Sequence, residues 1–558
     1  MWRVNVLFFL ILCAFTLIIV RLFYWQILSG DALRQQAYDQ YNLELTLPAQ
    51  RGQIKFSDNA PLVMNEPSYL VYAQPKEINS KEQFSRLIAP ILSLDEQSVF
   101  SDISAEGRVW VPLAKKVDSA AVDTLQQLHE LGLGFEPMSK RYYPEASMAA
   151  QLTGFVGSDQ YGNDKGYFGL EGFYDRELRG KDGYIQAEKD VNGAPIPIEG
   201  ETRIEAENGS TLTLSIDRTI QRIVESRLSD GVAAYGAKSG SVVIMDPSTG
   251  GILAMASYPS YDPLNYDAFD KSLYVNPVVA DAYEPGSTFK VLVMSAAINE
   301  HVVTPETIMD ENGPVQVGPY LIRTWNNQYH GPQTMTQIIQ NSSNVGMVFV
   351  ENKLGRDKML QYIHSFGIGA LTNIDLQDEA TPLLRSDSDW KDIDLATASF
   401  GQGIAVTPLQ MVRAVSVIAN GGWLMEPHVV QSIIDSRGRM IDIPPKRIRQ
   451  VVSKETTDFM KAIMINAVDN GEAKFAKPKG YTIAGKTGTA QIPVAGHYDA
   501  TKTIASFIGF APADHPLFVM LVTINQPTSS QWGSETAAPL FFTIAHDIFM
   551  YKGIPPQP

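Results

Sequence analysis

Glu284-Pro285-Gly286-Ser287-Thr288-Phe289-Lys290 runs straight into the apolar Val291-Leu292-Val293-Met294-Ser295-Ala296-Ala297, and the rest of the chain is read outward from this stretch. Pro285 and Gly286 predict a turn, and the residues after them favour helix and contain no breaker. Ser287 is therefore expected at a helix N-terminus, with Lys290 one turn on and on the same face. A serine hydroxyl is a weak nucleophile until an adjacent base takes its proton. Lysine serves as that base only when burial or nearby positive charge lowers its pKa. The positive end of the helix dipole would also favour an oxyanion forming at the serine.

Ser-x-x-Lys alone is a common pattern, and a second copy, Ser388-Asp389-Trp390-Lys391, lies in an acidic stretch with no helix expected behind it. Two further constellations single out Ser287. Asn341-Ser342-Ser343-Asn344 sets a hydroxyl two residues from an amide, which offers a proton relay and a backbone-like hydrogen bond from one short loop. Ser57-Asp58-Asn59 is its decoy. Lys486-Thr487-Gly488-Thr489 puts a cation and two hydroxyls along an expected strand, where Gly488 would let a substrate backbone approach closely. Ser287 and Ser342 are 55 residues apart, and Ser342 and Lys486 are 144 apart.

The chain has 558 residues, which allows several domains, and 44% are hydrophobic, enough to bury sizeable cores. A net charge of −16 without a basic stripe argues against nucleic acid as a partner. One cysteine rules out an intrachain disulfide. No glycine-rich phosphate loop or metal-ligand spacing stands out, so neither cofactor nor metal is expected.

Val4 to Val20 is nearly all apolar, with 13 Leu, Ile, Phe or Val residues. At about −0.4 kcal/mol each, membrane insertion is favoured by roughly 5 kcal/mol. Leu22-Phe23-Tyr24-Trp25 lengthens the run and supplies an aromatic belt, and Arg21 can snorkel to the interface. A cleaved signal peptide is the weaker reading, because the apolar run is long and no Ala-x-Ala site follows. Arg3 and the free amino group place the N-terminus in the cytoplasm and the remainder outside. The expected division is a stub and transmembrane anchor over 1–28, a mixed pedestal domain over 29–205 and a third domain over 206–558.

Ala32 to Ala37 reads as a polar helix, Arg108 to Leu113 as a strand and Ser119 to Leu131 as a helix. In the last domain Thr211–Leu214, Ser241–Met245 and Ile252–Ala256 read as strands, and Thr219–Leu228 as a helix. Tyr481 to Gly485 leads a strand into Lys486. Thr503–Phe510 and Phe518–Ile524 form a hairpin, and Thr536 to Tyr551 closes with an amphipathic helix. Strands at both ends and a helical middle predict an antiparallel sheet covered by helices, an α+β or α/β sandwich.

The ordered set Ser287-x-x-Lys290, Ser342-x-Asn344 and Lys486-Thr487-Gly488 resembles the signature of penicillin-binding proteins and serine β-lactamases. Phe400-Gly401-Gln402-Gly403-Ile404 and Thr407-Pro408-Leu409-Gln410 look like the transpeptidase domain of class B penicillin-binding proteins. Arg51-Gly52-Gln53-Ile54, Arg141-Tyr142-Tyr143-Pro144 and Gly169-Leu170-Glu171-Gly172 resemble that class's N-terminal pedestal, so the likeness spans nearly the whole chain. Departures are confined to the pedestal: Phe56-Ser57-Asp58-Asn59 stands where the family usually has Asp-Arg-Asn-Gly, and Ala146 replaces a glycine.

The resemblance implies a peptidoglycan D,D-transpeptidase acting on stem peptides that end in D-Ala-D-Ala, with β-lactams as inhibitors. By resemblance Ser287 is the acylated nucleophile, Lys290 the base and Ser342 the relay to the leaving group. Asn344 binds the substrate backbone and orients Lys290. Lys486, Thr487, Gly488 and Thr489 form the substrate strand, and the N–H groups of Ser287 and Thr489 the oxyanion hole. It also implies a membrane-embedded glycosyltransferase of the shape, elongation, division and sporulation (SEDS) family as partner, together with other divisome proteins. The Gly-Leu-Glu-Gly run and the lack of further C-terminal repeats look most like the septal branch. An elongation-type enzyme, a D,D-carboxypeptidase or β-lactamase, and an inactive divisome scaffold stay open, although no Glu-x-x-x-Asn of the deacylating kind lies between Asn344 and Lys486.

Overall fold

Two hydrophobic runs flank Asp246-Pro247-Ser248-Thr249-Gly250-Gly251, and the Asp246 carboxylate ties that turn together. It accepts from the Ser248 N–H at 2.8 Å and from the Thr249 hydroxyl at 2.9 Å. The flanking strands, Ser239–Met245 (β1) and Ile252–Tyr258 (β2), thus form a hairpin. Ala484–Val494 (β3), His497–Ala511 (β4) and Phe518–Asn525 (β5) complete a five-stranded antiparallel sheet in the order β2-β1-β5-β4-β3. The computed structural model describes residues 1–188, 202–494 and 497–557. Part of the expected pedestal, 189–201, lies outside the described residues.

Strand alternation sends Val242, Ile244, Phe507 and Val522 to one sheet face, where helices Arg218–Ala234 and Ala537–Lys552 cover them. Val243, Met245, Ile508 and Leu521 point to the other face. There the helix Pro408–Ala419, buried along its whole length, lies on β1, β4 and β5, and the helix Lys290–Asn299 packs on it. A helix that is apolar all round belongs inside a core. Val291 to Ile298 meets that condition except at Ser295, whose hydroxyl donates to Val291 O at 2.6 Å, and every one of these residues is buried.

The expected α+β sandwich of antiparallel sheet and helices is therefore found, with its expected strands and helices at their places. Several boundaries differ: the helix expected over Thr219–Leu228 runs Arg218–Ala234, the strand expected from Thr503 begins at His497, and three more shift. The strand expected from Arg108 begins at Val111 and continues to Asp118. The helix from Ser119 stops at Gln127, because the backbone turns left-handed at His129 (φ 53°) and Gly132 (φ 79°). β3 begins only at Ala484, since Tyr481 is stacked on Phe549 of the last helix, 4.4 Å between centroids.

The chain divides into two units, Met1–Arg51 with Arg179–Gly209 and Gly52–Leu178 with Ser210–Pro558. In the first, the helical stretch Trp2–Leu28 is 27 residues long and apolar enough to cross a membrane, with Arg21 resting 5.3 Å over the Trp25 ring. Gly30–Tyr41 follows as a helix, and Asn42–Leu47, Gly183–Glu188 and Thr202–Ile204 form a small antiparallel sheet. In the second unit, Ile54–Lys55 pairs in parallel with Thr211–Leu214 and antiparallel with Pro61–Ala73, so one sheet joins strands from both sides of the boundary expected at residue 205.

Arg141 and Glu171, quoted above from two separate motifs, meet as a buried ion pair at 2.8–2.9 Å; Arg141 also donates to the Asn65 amide oxygen. Glu171 is fully inaccessible. Removing one partner of such a pair strands a buried charge and costs about 3–5 kcal/mol, whereas a well-packed apolar pair is often neutral. Glu171→Leu should accordingly lower the denaturation midpoint of the full chain far more than Arg141→Met/Glu171→Leu together. Equal losses in the single and double variants, followed by tryptophan fluorescence, would show that the pair is not what holds the region.

Candidate active site

Two backbone turns and one strand edge build the site. Ser287 lies in the 3-10 turn Gly286–Thr288, which opens directly into the helix Lys290–Asn299. The turn is held by close backbone contact: the Gly286 N–H donates to Gly401 O at 2.9 Å. Both glycines have positive φ, 55° and 80°, and a Cβ on Gly401 would stand 2.1 Å from Gly286 O. Only glycine fits there. Thr288 Oγ1 closes the turn by donating to Pro285 O at 2.7 Å.

The second turn joins the helices Met335–Gln340 and Asn344–Leu354. Ser342 sits between them at φ 56°, a left-handed conformation that serine adopts at a cost. Its neighbour Ser343 caps the second helix by accepting from the Gly346 N–H at 2.8 Å, and donates its hydroxyl to Glu311. Glu311, on the strand Ile308–Glu311, is inaccessible and also accepts from Gln333 Nε2 at 2.6 Å. The strained serine is thus held from both sides.

Together the turns place Ser342 Oγ 2.9 Å from Ser287 Oγ and 3.2 Å from Lys290 Nζ. Lys290 Nζ also donates to Ser342 O at 2.6 Å and to Asn344 Oδ1 at 2.9 Å, and the Asn344 amide donates onward to Arg323 O at 3.1 Å. Among the described residues Lys290 has no direct bond to Ser287; the Ser342 hydroxyl spans the gap. Lys290 is completely buried. Burial, and then the positive charge of Lys486, hold its pKa well below the ordinary lysine value, against the weaker pull of Glu472 and Glu311. Burial lowers the pKa of Lys486 as well.

This geometry sets the direction a proton can take. A neutral amine has two hydrogens and one lone pair. Ser342 O and Asn344 Oδ1 take the two hydrogens, which leaves the lone pair for the Ser342 hydroxyl. Hydroxyls rotate freely between donor and acceptor roles. Ser287 can then donate to Ser342 while Ser342 donates to Lys290.

β3 is the sheet's edge strand beside Ser287. Lys486 is buried on it, and its Nζ donates to Thr487 Oγ1 at 3.1 Å. Thr489 shares with Ser287, Asn344 and Gln491 an open cleft of about 220 Å³. Its hydroxyl accepts from the Gly533 N–H at 3.0 Å. A Cβ on Gly488 would stand 2.8 Å from Thr288 Cγ2 and 3.1 Å from Pro285 O. The missing side chain thus admits the Ser287 turn against the strand.

Of the residues singled out in the sequence, Ser287, Lys290, Ser342 and Asn344 share one hydrogen-bond network, Lys486 is bonded to Thr487, and Thr489 lines the cleft. The decoys fall elsewhere. Ser388 is exposed and bonded to Ser386 and Asp389. A helix does follow it, Asp392–Ala398, contrary to expectation, because Asp394 accepts from the Lys391 N–H and caps the start. Sequence reasoning missed Trp325 and Trp532, which line the cleft with their rings 4.9 Å apart, edge to face. Each stands alone in a turn-rich loop with no periodicity to flag it. Glu311 was missed likewise: it ends the short strand Ile308–Glu311 directly after Asp310, where sequence alone does not tell a buried carboxylate from an exposed one.

The penicillin-binding protein transpeptidase domain matches residues 240–548, and the penicillin-binding protein dimerisation domain matches 46–214. Stage V sporulation protein D of Bacillus subtilis is 33% identical over 100% of this chain and 87% of its own length. Peptidoglycan D,D-transpeptidase FtsI of Escherichia coli is 31% identical over 100% of this chain and 93% of its own. Among solved structures, penicillin-binding protein 3 of Mycobacterium tuberculosis in complex with aztreonam has a TM-score of 0.72 at 26% identity, covering 92% of this chain and 98% of that one. A peptidoglycan synthetase of Bifidobacterium adolescentis gives 0.75 at 27% identity, with 93% and 98% covered. With more than half its length matched by the transpeptidase model, and full-length relatives above 30% identity, the chain belongs to the penicillin-binding protein transpeptidase family.

Proposed function

We propose that the chain is a membrane-anchored serine D,D-transpeptidase that cross-links peptidoglycan stem peptides, through an acyl-enzyme on Ser287, in septal wall synthesis. The observation that carries this reading is the Ser287–Ser342–Lys290 hydroxyl-and-amine path, with a desolvated lysine at its end. Ser287 attacks the D-Ala-D-Ala carbonyl, and its proton passes through Ser342 to Lys290. Ser342 returns a proton to the leaving D-Ala. An amine of a second stem peptide then takes the acyl group and regenerates Ser287. Asn344 orients Lys290 and binds the donor's backbone. Lys486, Thr487 and Thr489 receive the terminal carboxylate along β3, and the N–H groups of Ser287 and Thr489 hold the oxyanion, worth about 3–4 kcal/mol per donor.

Residues 1–28 are the anchor with a cytoplasmic N-terminus, 29–205 the pedestal and 206–558 the catalytic domain. The Gly169-Leu170-Glu171-Gly172 run supports the septal assignment. The relative named for stage V sporulation favours a second reading, wall synthesis during sporulation. The partner is a SEDS-family polymerase, which the class B resemblance implies; among the described residues of 29–205 no second nucleophile–base pair stands out, and the anchor packs against that partner in the bilayer.

β-Lactams mimic the D-Ala-D-Ala carbonyl, so penicillin should leave one stable adduct on Ser287, read by mass spectrometry of the digested protein. An adduct on Ser388 would overturn the assignment. Acylation needs neutral Lys290, so its rate should rise with pH and level off well below pH 10.5, the value for an ordinary lysine. Lys486→Ala removes the neighbouring positive charge, raises the Lys290 pKa and should move that rise to higher pH. A profile that stays in place would show that Lys486 does not tune the base. Replacing residues 1–28 with an unrelated membrane helix should spare penicillin labelling but weaken co-purification with the polymerase; full co-purification would place the contact in the ectodomain.

A further inference from the structure

The hydrogen-bond path on Ser287 does not by itself choose between nucleophiles. Once Ser287 is acylated, on the reading proposed above, Lys290 and Ser342 can take a proton from an amine or from water alike. In both cases the entering lone pair bonds to the acyl carbon and the ester bond to Ser287 Oγ breaks. The released proton returns to Ser287 Oγ through Lys290 and Ser342; an amine yields an amide, water a carboxylic acid. The cleft measures about 220 Å³ and one water occupies about 30 Å³, so several waters fit. A transpeptidase therefore needs a feature of the cleft that disfavours them.

Trp325 and Trp532 have the placement for it, because each is tied to a different wall. Trp325 stands two residues after Arg323, whose carbonyl accepts from the Asn344 amide at 3.1 Å. Thr324 between them is buried, and its hydroxyl donates to Gln328 O at 3.0 Å. Trp532 stands between Gln531, whose carbonyl accepts from the Thr503 hydroxyl at 3.1 Å, and Gly533, whose N–H donates to Thr489 Oγ1 at 3.0 Å. A Cβ on Gly533 would lie 2.2 Å from Gly488 O, so this loop is pressed onto β3. The two rings meet at 60° between their planes and join the Asn344 side of the cleft to the Thr489 side. Trp325 is 47% exposed, which gives its ring room to swing aside. An indole face is apolar, and its one polar group only donates. Water beside two such faces loses hydrogen bonds, whereas the apolar flank of a peptide loses none. We propose that Trp325 and Trp532 are specificity-determining residues that direct the Ser287 acyl-enzyme to amine acceptors and away from water. With the rings together the ester is shielded on this side; an acceptor chain parts them by taking the place of one ring against the other.

The test uses the full chain in detergent, with N-benzoyl-D-alanyl thioglycolate as donor and D-alanine at fixed concentration as acceptor. Amide and acid products are separated by chromatography, and their ratio is taken within each variant, so a change in acylation rate alone does not move it. In Trp325→Ala and in Trp532→Ala the amide-to-acid ratio should fall about two- to tenfold, the strength of one aromatic contact. Trp325→Phe keeps a ring in place and should recover most of the ratio. The penicillin adduct, which water alone releases, should shorten in half-life by a similar factor in Trp325→Ala; formation of that adduct on Ser287 establishes that the variant folds. The double variant should lose little more than either single one, because both break the same contact. The proposal falls if Trp325→Ala keeps the wild-type ratio or the wild-type adduct half-life, or if the two losses multiply as independent sites do. Wild-type protein that releases no thiol from the donor would take down the acyl-enzyme reading and this inference with it. Thiol release with an unchanged ratio in the variants overturns this inference alone.

Discussion

A lysine ammonium without contact to water is the constraint around which this molecule is arranged. Lys290 sits inside the core on a helix that is buried all round, and desolvation opposes its charge. Its folded pKa is depressed, so between that value and the ordinary one the unfolded chain binds more protons. Within that window the contribution of Lys290 to stability rises with pH, and below it the full cost of burying the charge is felt. The fold bears this cost because Ser342 O, Ser342 Oγ and Asn344 Oδ1 converge on Nζ. Two of these acceptors belong to one residue held in a left-handed conformation. Strain at Ser342 and desolvation at Lys290 are thus one device, and each makes sense only with the other.

Holding that device to a fraction of an ångström takes rigid neighbours. Gly286 against Gly401 fixes the Ser287 turn through backbone alone, where no rotamer can relax. Glu311 fixes the other turn through Ser343 and Gln333. Neither Glu311 nor Gly401 reaches the Ser287 cleft, yet both determine where the two serine oxygens meet.

The sequence carried the candidate site because its pattern is local: each constellation spans three or four residues with an identifiable turn, strand or helix beneath it. The sandwich was legible for a similar reason. Ser239–Met245, Ile252–Tyr258 and Phe518–Asn525 are apolar strands bounded by turn residues, and the run after Lys290 is too apolar to face water. What escaped was long-range or solitary. The Arg141–Glu171 pair joins motifs 30 residues apart, and nothing local announces it. Trp325 and Trp532 meet only because two loops converge. The helix after Lys391 was missed because a capping aspartate reads, in sequence, like any other acid in an acidic stretch.

The sheet itself shows how such a site is made compatible with a core. Ser257, Ser241, Thr523, Ser506 and Gly488 stand in register across all five strands. Strand alternation puts them on the face that receives the helix Lys290–Asn299. Two residues further along, that face carries Val243, Leu521, Ile508 and then Lys486. The apolar row surrounds the Lys486 stem and lowers its pKa by desolvation, and its remaining charge in turn bears on Lys290. The hydroxyl row is smaller in volume and ends in no side chain at all, so the sheet is thinnest where Thr288 and Pro285 press against β3. A larger residue at Gly488 would collide with Ser506 Oγ at 2.5 Å and push the Ser287 turn off the strand edge. Alignment of the candidate site therefore rests on a gradient of side-chain volume across one sheet face, bulky beneath Lys486 and absent beneath Ser287.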